Sequence, residues 1–208
     1  DARPGDGLHV DLSAAAIEAA LAGQGVALAS VPLVADLLAR GHKAPPQWAG
    51  LKFFNVFGPN EYHKGPMMSV LARRFDDIKA GRVVQLFKSH REGIADGDQR
   101  RDFIYVDDVV RVIIWLIATP QVSGLFNVGT GKARSFRDLI VSAYGALGRE
   151  PNIEYVDMPE QIRGSYQYFT ESVVDRLARA GYNGGFTRLE DAVGAYVNGF
   201  LDRADRYR

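Results

Sequence analysis

Arg100-Arg101-Asp102-Phe103-Ile104-Tyr105-Val106-Asp107-Asp108-Val109 decides the reading of this chain. Its apolar centre, Arg101 to Val106, has the length and composition of a buried strand, and the acid pair that follows opens an apolar helix from Asp107. A strand that passes directly into a helix is the unit of an α/β fold. The stretch before it, Lys88 to Gln99, is charged, contains glycine and lacks aromatic residues, so it reads as an exposed loop. Further upstream the same alternation continues. Leu51 to Phe57 is a strand closed by Gly58-Pro59, Met67 to Ala80 has helical spacing and stops at Gly81, and Val83 to Phe87 is a strand. Downstream, Leu125 to Val128 forms a strand ahead of Gly129-Thr130-Gly131. Three later helices are announced by Ser135/Asp138, Ser172/Asp175 and Thr187/Glu190, the spacing of a capping box.

The first fifty residues have a different texture. Ser13 to Ala22 is an alanine-rich helix stopped by Gly23, Val26 to Val31 is a short buried strand, and a second helix runs from Pro32 to Arg40. His42-Lys43-Ala44-Pro45-Pro46-Gln47 then breaks the pattern and is the candidate junction. The uncharged stretch Ala19 to Ala35 contains Gln24, Ser30 and Pro32, which suits a buried helix and strand rather than a membrane span. Asp1-Ala2-Arg3-Pro4-Gly5-Asp6 has no basic lead into an apolar run, so it reads as internal sequence rather than a signal peptide.

Composition narrows the function classes. The 208 residues carry 25 Lys and Arg against 25 Asp and Glu, and this neutral balance lacks the positive field that nucleic-acid binding relies on. There is no cysteine, which removes disulfides, thiolate metal sites and a cysteine nucleophile, and fits the cytosol.

Four segments hold residues that could do chemistry. Gly23-Gln24-Gly25 partly matches the dinucleotide fingerprint, but it follows a helix and precedes a strand, the reverse of the order needed to seat a pyrophosphate on a helix N-terminus. A helix stop accounts for it better. Asn55-Val56-Phe57-Gly58-Pro59-Asn60-Glu61-Tyr62-His63-Lys64-Gly65 delivers polar side chains from a strand end into a turn, where α/β sheets form their ligand crevice. Lys64 there is either an acid/base group or a solvated loop lysine. Arg101, entering a strand from the polar loop, suits a bidentate phosphate clamp or a surface ion pair, and Asp107 suits a helix cap. Tyr166-Gln167-Tyr168-Phe169 is an aromatic run fit to stack on a base or sugar, or to fill a core.

In their order along the chain, Phe54-Asn55-Val56-Phe57-Gly58-Pro59, Arg101-Asp102-Phe103-Ile104-Tyr105-Val106-Asp107-Asp108-Val109 and Phe126-Asn127-Val128-Gly129-Thr130-Gly131 resemble the extended short-chain dehydrogenase/reductase family that acts on nucleotide sugars. Glu61-Tyr62-His63-Lys64-Gly65 and Arg163-Gly164-Ser165-Tyr166-Gln167 are narrower and resemble its ADP-heptose 6-epimerase branch, from about residue 51 to the C-terminus. The resemblance implies NADP-dependent oxidation and re-reduction at the heptose C6, in the cytoplasm, for lipopolysaccharide precursor synthesis, by a homo-oligomer. It assigns Lys64 as catalytic and cofactor-binding and Val56 as cofactor-binding. Asn55, Phe87, Lys88, Ser89, His90, Arg101 and Tyr166 become substrate-binding. Pro66 and Arg73 stand where the family has a polar residue and a histidine.

The family's second acid/base group, the tyrosine of a Tyr-x-x-x-Lys pair, has no counterpart, because the residues four before each lysine are Ala39, Trp48, Asn60, Phe75, Val84 and Val128. The 50 residues before Leu51 also have too little room for the NADP-binding half. Residues 8–41 instead resemble part of the effector-binding domain of LysR-type regulators. The expected organisation is a regulator-like segment over 1–42, a junction over 43–50 and the epimerase-like portion over 51–208. That makes an incomplete Rossmann-like α/β chain, a chimera with a short foreign α/β N-terminus: an epimerase by descent that is expected not to turn over ADP-heptose by itself, or alternatively a non-catalytic nucleotide-sugar-binding module or a non-functional chimera. Neither nucleic acid nor a membrane is expected as a partner.

Overall fold

The computed structural model describes Ala39 and residues 47–207. Expectations for residues 1–38 and 40–46, including the Gly23-Gln24-Gly25 turn and most of the regulator-like segment, lie outside the described residues. Two compact units are present, one of Asp1–Lys52 with Val112–Phe126 and one of Phe53–Arg111 with Asn127–Arg208. The elements confirm the α/β class.

In the first unit, strand β1 (Ala49–Phe53) pairs with β6 (Gly124–Val128), two strands whose last residues pass into the second unit. The Gln47 side chain donates to the carbonyls of Leu116, Thr119 and Val122 at 2.6, 3.2 and 3.3 Å. It thus ties the start of β1 to the carbonyls at and just beyond the C-terminal end of helix α2 (Val106–Ala118).

The second unit is built on short paired strands. β2 (Asn55–Phe57) runs parallel to β5 (Phe103–Tyr105), with Asn55 opposite Phe103. β3 (Val84–Phe87) runs parallel to β8 (Ile153–Val156), and β4 (Arg100–Arg101) is antiparallel to β7 (Arg134–Ser135). Parallel pairing requires crossovers, and helix α1 (Val70–Lys79) lies in the connection from β2 to its partner β5. Its buried Leu71, Phe75 and Ile78 repeat at helical spacing, as do Leu139, Ile140, Ala143 and Tyr144 of α3 (Phe136–Ala146). Two short helices, α4 (Glu160–Arg163) and α5 (Asp175–Arg179), follow β8. The buried faces of α1 and α3 pack with α6 (Leu189–Tyr196) around Phe57, Leu86, Phe103 and Tyr105. Gly58 (φ +144°) is required where β2 ends, because a Cβ there would lie 2.5 Å from Val106 Cγ1.

Local polar bonds moved several boundaries. Leu51–Phe57 is two strands rather than one, since Phe54 bonds Val128 while Asn55 bonds Asp102. The helix expected from Met67 starts at Val70, because Ser69 caps it and accepts from Ala72 N–H at 3.1 Å. Residues Glu61–Met67 form 3₁₀ turns instead. The strand expected through Val106 ends at Tyr105, and Asp107 sits in the first turn of α2 rather than before it. Of the three capping boxes only Ser135/Asp138 forms. Ser172 and Thr187 instead donate to the buried acids Asp102 and Asp108, and α5 and α6 begin without a side-chain cap.

Candidate active site

Arg101 is the centre of the best-formed cluster. It is 8% exposed, and burial pushes its pKa down while the neighbouring Tyr166 works the other way. The guanidinium is stacked 5.3 Å over the Tyr166 ring and 5.5 Å over the Phe136 ring, and one Nη donates to the Arg100 carbonyl at 2.8 Å. Among the described residues no carboxylate pairs with it. Arg100, by contrast, is the ordinary surface ion pair, 3.2 Å from Asp98. A mostly buried cation supported by aromatic faces but lacking an acid partner is suited to an anionic ligand.

The surrounding side chains arrive from three places. Phe87, at the end of β3, meets Tyr166 edge-on at 6.1 Å, and Tyr166 meets Tyr168 edge-on at 5.8 Å. Tyr168 is fixed by its backbone, whose carbonyl accepts from Arg100 N–H at 2.8 Å. Burial raises the Tyr166 pKa, with Arg101 opposing the shift, so its hydroxyl stays protonated near neutral pH.

The polar loop before β4 is held by internal bonds. Gln99, 1% exposed, donates to the carbonyls of Phe87 and Lys88 at 3.3 and 3.0 Å. Asp96 accepts from Ser89 N–H at 2.7 Å, and Ser89 Oγ both donates to the Arg91 carbonyl and accepts from Arg91 N–H. His90 N–H donates to Tyr168 Oη at 3.0 Å, and its Nε2 accepts from Met158 N–H at 3.3 Å. Lys88 lies 3.8 Å from Asp157. Phe87, Lys88, Ser89, His90, Arg101 and Tyr166 are therefore joined by direct contacts or one shared loop.

Asn55, Val56 and Lys64 belong to the neighbouring strand and turn. Asn55 N–H donates to the Asp102 carbonyl at 3.0 Å, which ties β2 to the residue after Arg101. Val56 is half-buried and Lys64 exposed, and among the described residues no hydrogen bond or ion pair joins Lys64 to the Arg101 cluster. The Lys64 turn is clamped at its ends. Glu61, 3% exposed, accepts from both Ser69 N–H at 2.6 Å and Ser69 Oγ at 2.7 Å. The buried Tyr196 hydroxyl lies beside Glu61 and Tyr62 without a well-formed hydrogen bond, and its pKa is raised chiefly by burial and then by the Glu61 charge.

Below Arg101, Asp102 is fully buried and accepts from the amides of Thr130, Gly131 and Ser172 and from both hydroxyls. This bond set anchors the Gly129-Thr130-Gly131 loop, where a Cβ on Gly129 would come within 2.4 Å of Ser172 Oγ. Sequence reasoning did not single out Glu61, Gln99 or Phe136 as supports. Their partners are remote in sequence or set by loop geometry, and only Glu61 stood inside a quoted motif.

A separate cavity of about 210 Å³ lies against α5, lined by Val174, Leu177, Ala178, Tyr182, Asn183, Gly185 and Phe186, and holds none of the expected site residues. Among the described residues no group of acids and histidines could hold a metal ion, and no helix is long and apolar enough to cross a membrane.

Comparison with known proteins places the chain among sugar-nucleotide epimerases by similarity. Residues 35–129 match the NAD dependent epimerase/dehydratase family. An ADP-L-glycero-D-manno-heptose-6-epimerase of Nitratidesulfovibrio vulgaris is 54% identical over 159 residues, covering 76% of this chain and 49% of the relative. The Fusobacterium nucleatum protein of the same name is 44% identical over 169 residues, covering 78% and 51%. The chain thus spans about half the length of the curated relatives it matches. Two solved structures share the fold. The Helicobacter pylori ADP-L-glycero-D-manno-heptose-6-epimerase has a TM-score of 0.62 at 24% identity over 79% of this chain and 47% of that one. The Thermus thermophilus UDP-glucose 4-epimerase, in complex with NAD, has a TM-score of 0.62 at 21% identity over 80% and 50%.

Proposed function

We propose, from the premise that this chain carries a stretch of the NAD dependent epimerase/dehydratase family, that it is the substrate-side portion of an ADP-heptose 6-epimerase. The observation that carries this reading is Arg101, buried on two aromatic rings with no acid partner among the described residues. Its guanidinium suits the diphosphate of an ADP-sugar, and Phe87, Tyr166 and the Lys88-Ser89-His90 edge enclose the remainder of the ligand.

Epimerisation by oxidation and re-reduction at C6 requires a proton to leave and return at the same oxygen as the hydride changes face. Lys64, exposed and free of a carboxylate partner among the described residues, is the group that would hold or return that proton on one side. Asn55, on the strand bonded to Asp102, would orient the sugar. A nicotinamide cofactor, NADP on this reading, would supply the hydride acceptor and donor. Val56 and Lys64 fit a contact with it, but the sequence has no strand, glycine fingerprint and helix in that order to cradle its pyrophosphate. The Tyr-x-x-x-Lys spacing for proton transfer on the other face is also missing from this sequence. The chain by itself therefore binds without turning over, as a nucleotide-sugar-binding module would. The same reading has the protein act in the cytoplasm as a homo-oligomer, and the family match over residues 35–129 runs across the 43–50 segment expected as a junction.

Titration of the purified chain with ADP-heptose, followed by an NADP-dependent epimerisation assay, tests both parts. Saturable binding that is lost in Arg101→Ala, with no turnover, is expected. Absence of binding removes the site assignment, and turnover by the unaided chain removes the claim of inactivity.

A further inference from the structure

The loop that leads into Arg101 brings a second arginine to the same aromatic pair. Arg91 stacks 4.6 Å over the Tyr168 ring, while Arg101 stacks over Tyr166, and the two rings meet edge to face, their centroids 5.8 Å apart. The other basic side chains nearby are engaged. Lys88 faces Asp157, Arg100 faces Asp98, and Arg163 donates Nε–H to the Met158 carbonyl at 2.6 Å. Arg91 and Arg101 are the pair of stacked guanidiniums there without an acid partner among the described residues. The loop holding Arg91 is also fixed on both sides of it, by Ser89 and Asp96 within the turn and by the buried Gln99 at its base. The cation is thus presented from a shaped turn rather than carried on a loose one.

A sugar-linked diphosphate presents two phosphate groups, and the fork of one guanidinium pairs with one of them. We propose that Arg91 is a second anion-binding residue of this site and takes the phosphate that Arg101 does not, so that the 88–99 loop makes the site selective for a diphosphate over a monophosphate. A guanidinium already resting on Tyr168 has less side-chain freedom to lose on meeting the ligand. The inference rests on the assignment of the Arg101 cluster as the nucleotide-sugar site.

Calorimetry with ADP and AMP on the whole chain, wild type, Arg91→Ala and Arg101→Ala, tests it. Arg91 is exposed, and a melting curve confirms that the variant is folded. Arg91→Ala is expected to raise the Kd for ADP about tenfold and to shrink the preference for ADP over AMP by a similar factor, with partial recovery in Arg91→Lys. If Arg101→Ala loses ADP while Arg91→Ala binds it within about twofold of wild type, the role of Arg91 is overturned and the site reading stands. If the wild-type chain does not bind ADP, the site reading fails and this inference fails with it.

Discussion

Asp102 shows how one residue supports the site without facing a ligand. Burial works to raise its carboxyl, but hydrogen bonds from Ser172 and Thr130 outweigh that and hold it below the usual carboxylate range. Because its folded pKa is depressed, its contribution to stability is complete above the unfolded value near 4 and is lost as pH falls through the lower folded value. Asp102→Asn should cost about 3 kcal/mol at neutral pH, measured by urea unfolding, and should flatten the loss of stability in acid. An unchanged acid limb would contradict the assignment. Arg101 was legible at this scale, since a basic residue entering an apolar strand from a polar loop stands out. Its partner Phe136 was not, because nothing in sequence separates an aromatic that supports a cation from one that fills a core.

At the scale of elements, the turn carrying Lys64 depends on Glu61 gripping Ser69 from eight residues away. Glu61→Gln replaces one of the two accepting oxygens, each of which takes one Ser69 donor, with an amide donor, so it should destabilise the unit by about 2 kcal/mol and speed hydrogen exchange at Ser69 and Ala72. Equal exchange in both proteins would show that the clamp is dispensable. Ser135→Ala removes the one capping box that formed and should cost about 1 kcal/mol by the same unfolding measurement. The sequence pattern located strands and helices well but misplaced their ends. Ser172 and Thr187 have capping-box spacing, yet each hydroxyl serves a buried aspartate about 70 or more residues away. A local motif cannot signal that choice, because the competing acceptor is supplied only by tertiary packing.

For the whole molecule, the second unit joins the Arg101 cluster and the Lys64 turn to a common core, while the chain spans about half the length of the relatives it matches. On the proposed function, binding is measured apart from turnover. The glycine fingerprint and the tyrosine pair were legible as missing from the sequence because both are defined by spacing. The aromatic shelf was legible only as a run of residues, since its assembly needs β3, β4 and the 166–168 segment to converge. A ¹H–¹⁵N NMR titration of the assigned chain with ADP tests the binding site most directly. Saturable shifts are expected at Lys88, Ser89, His90 and Tyr166 and at the Arg101 side chain. Shifts confined to the α5 cavity around Tyr182 and Phe186, or no shifts at millimolar ADP, would contradict the assignment.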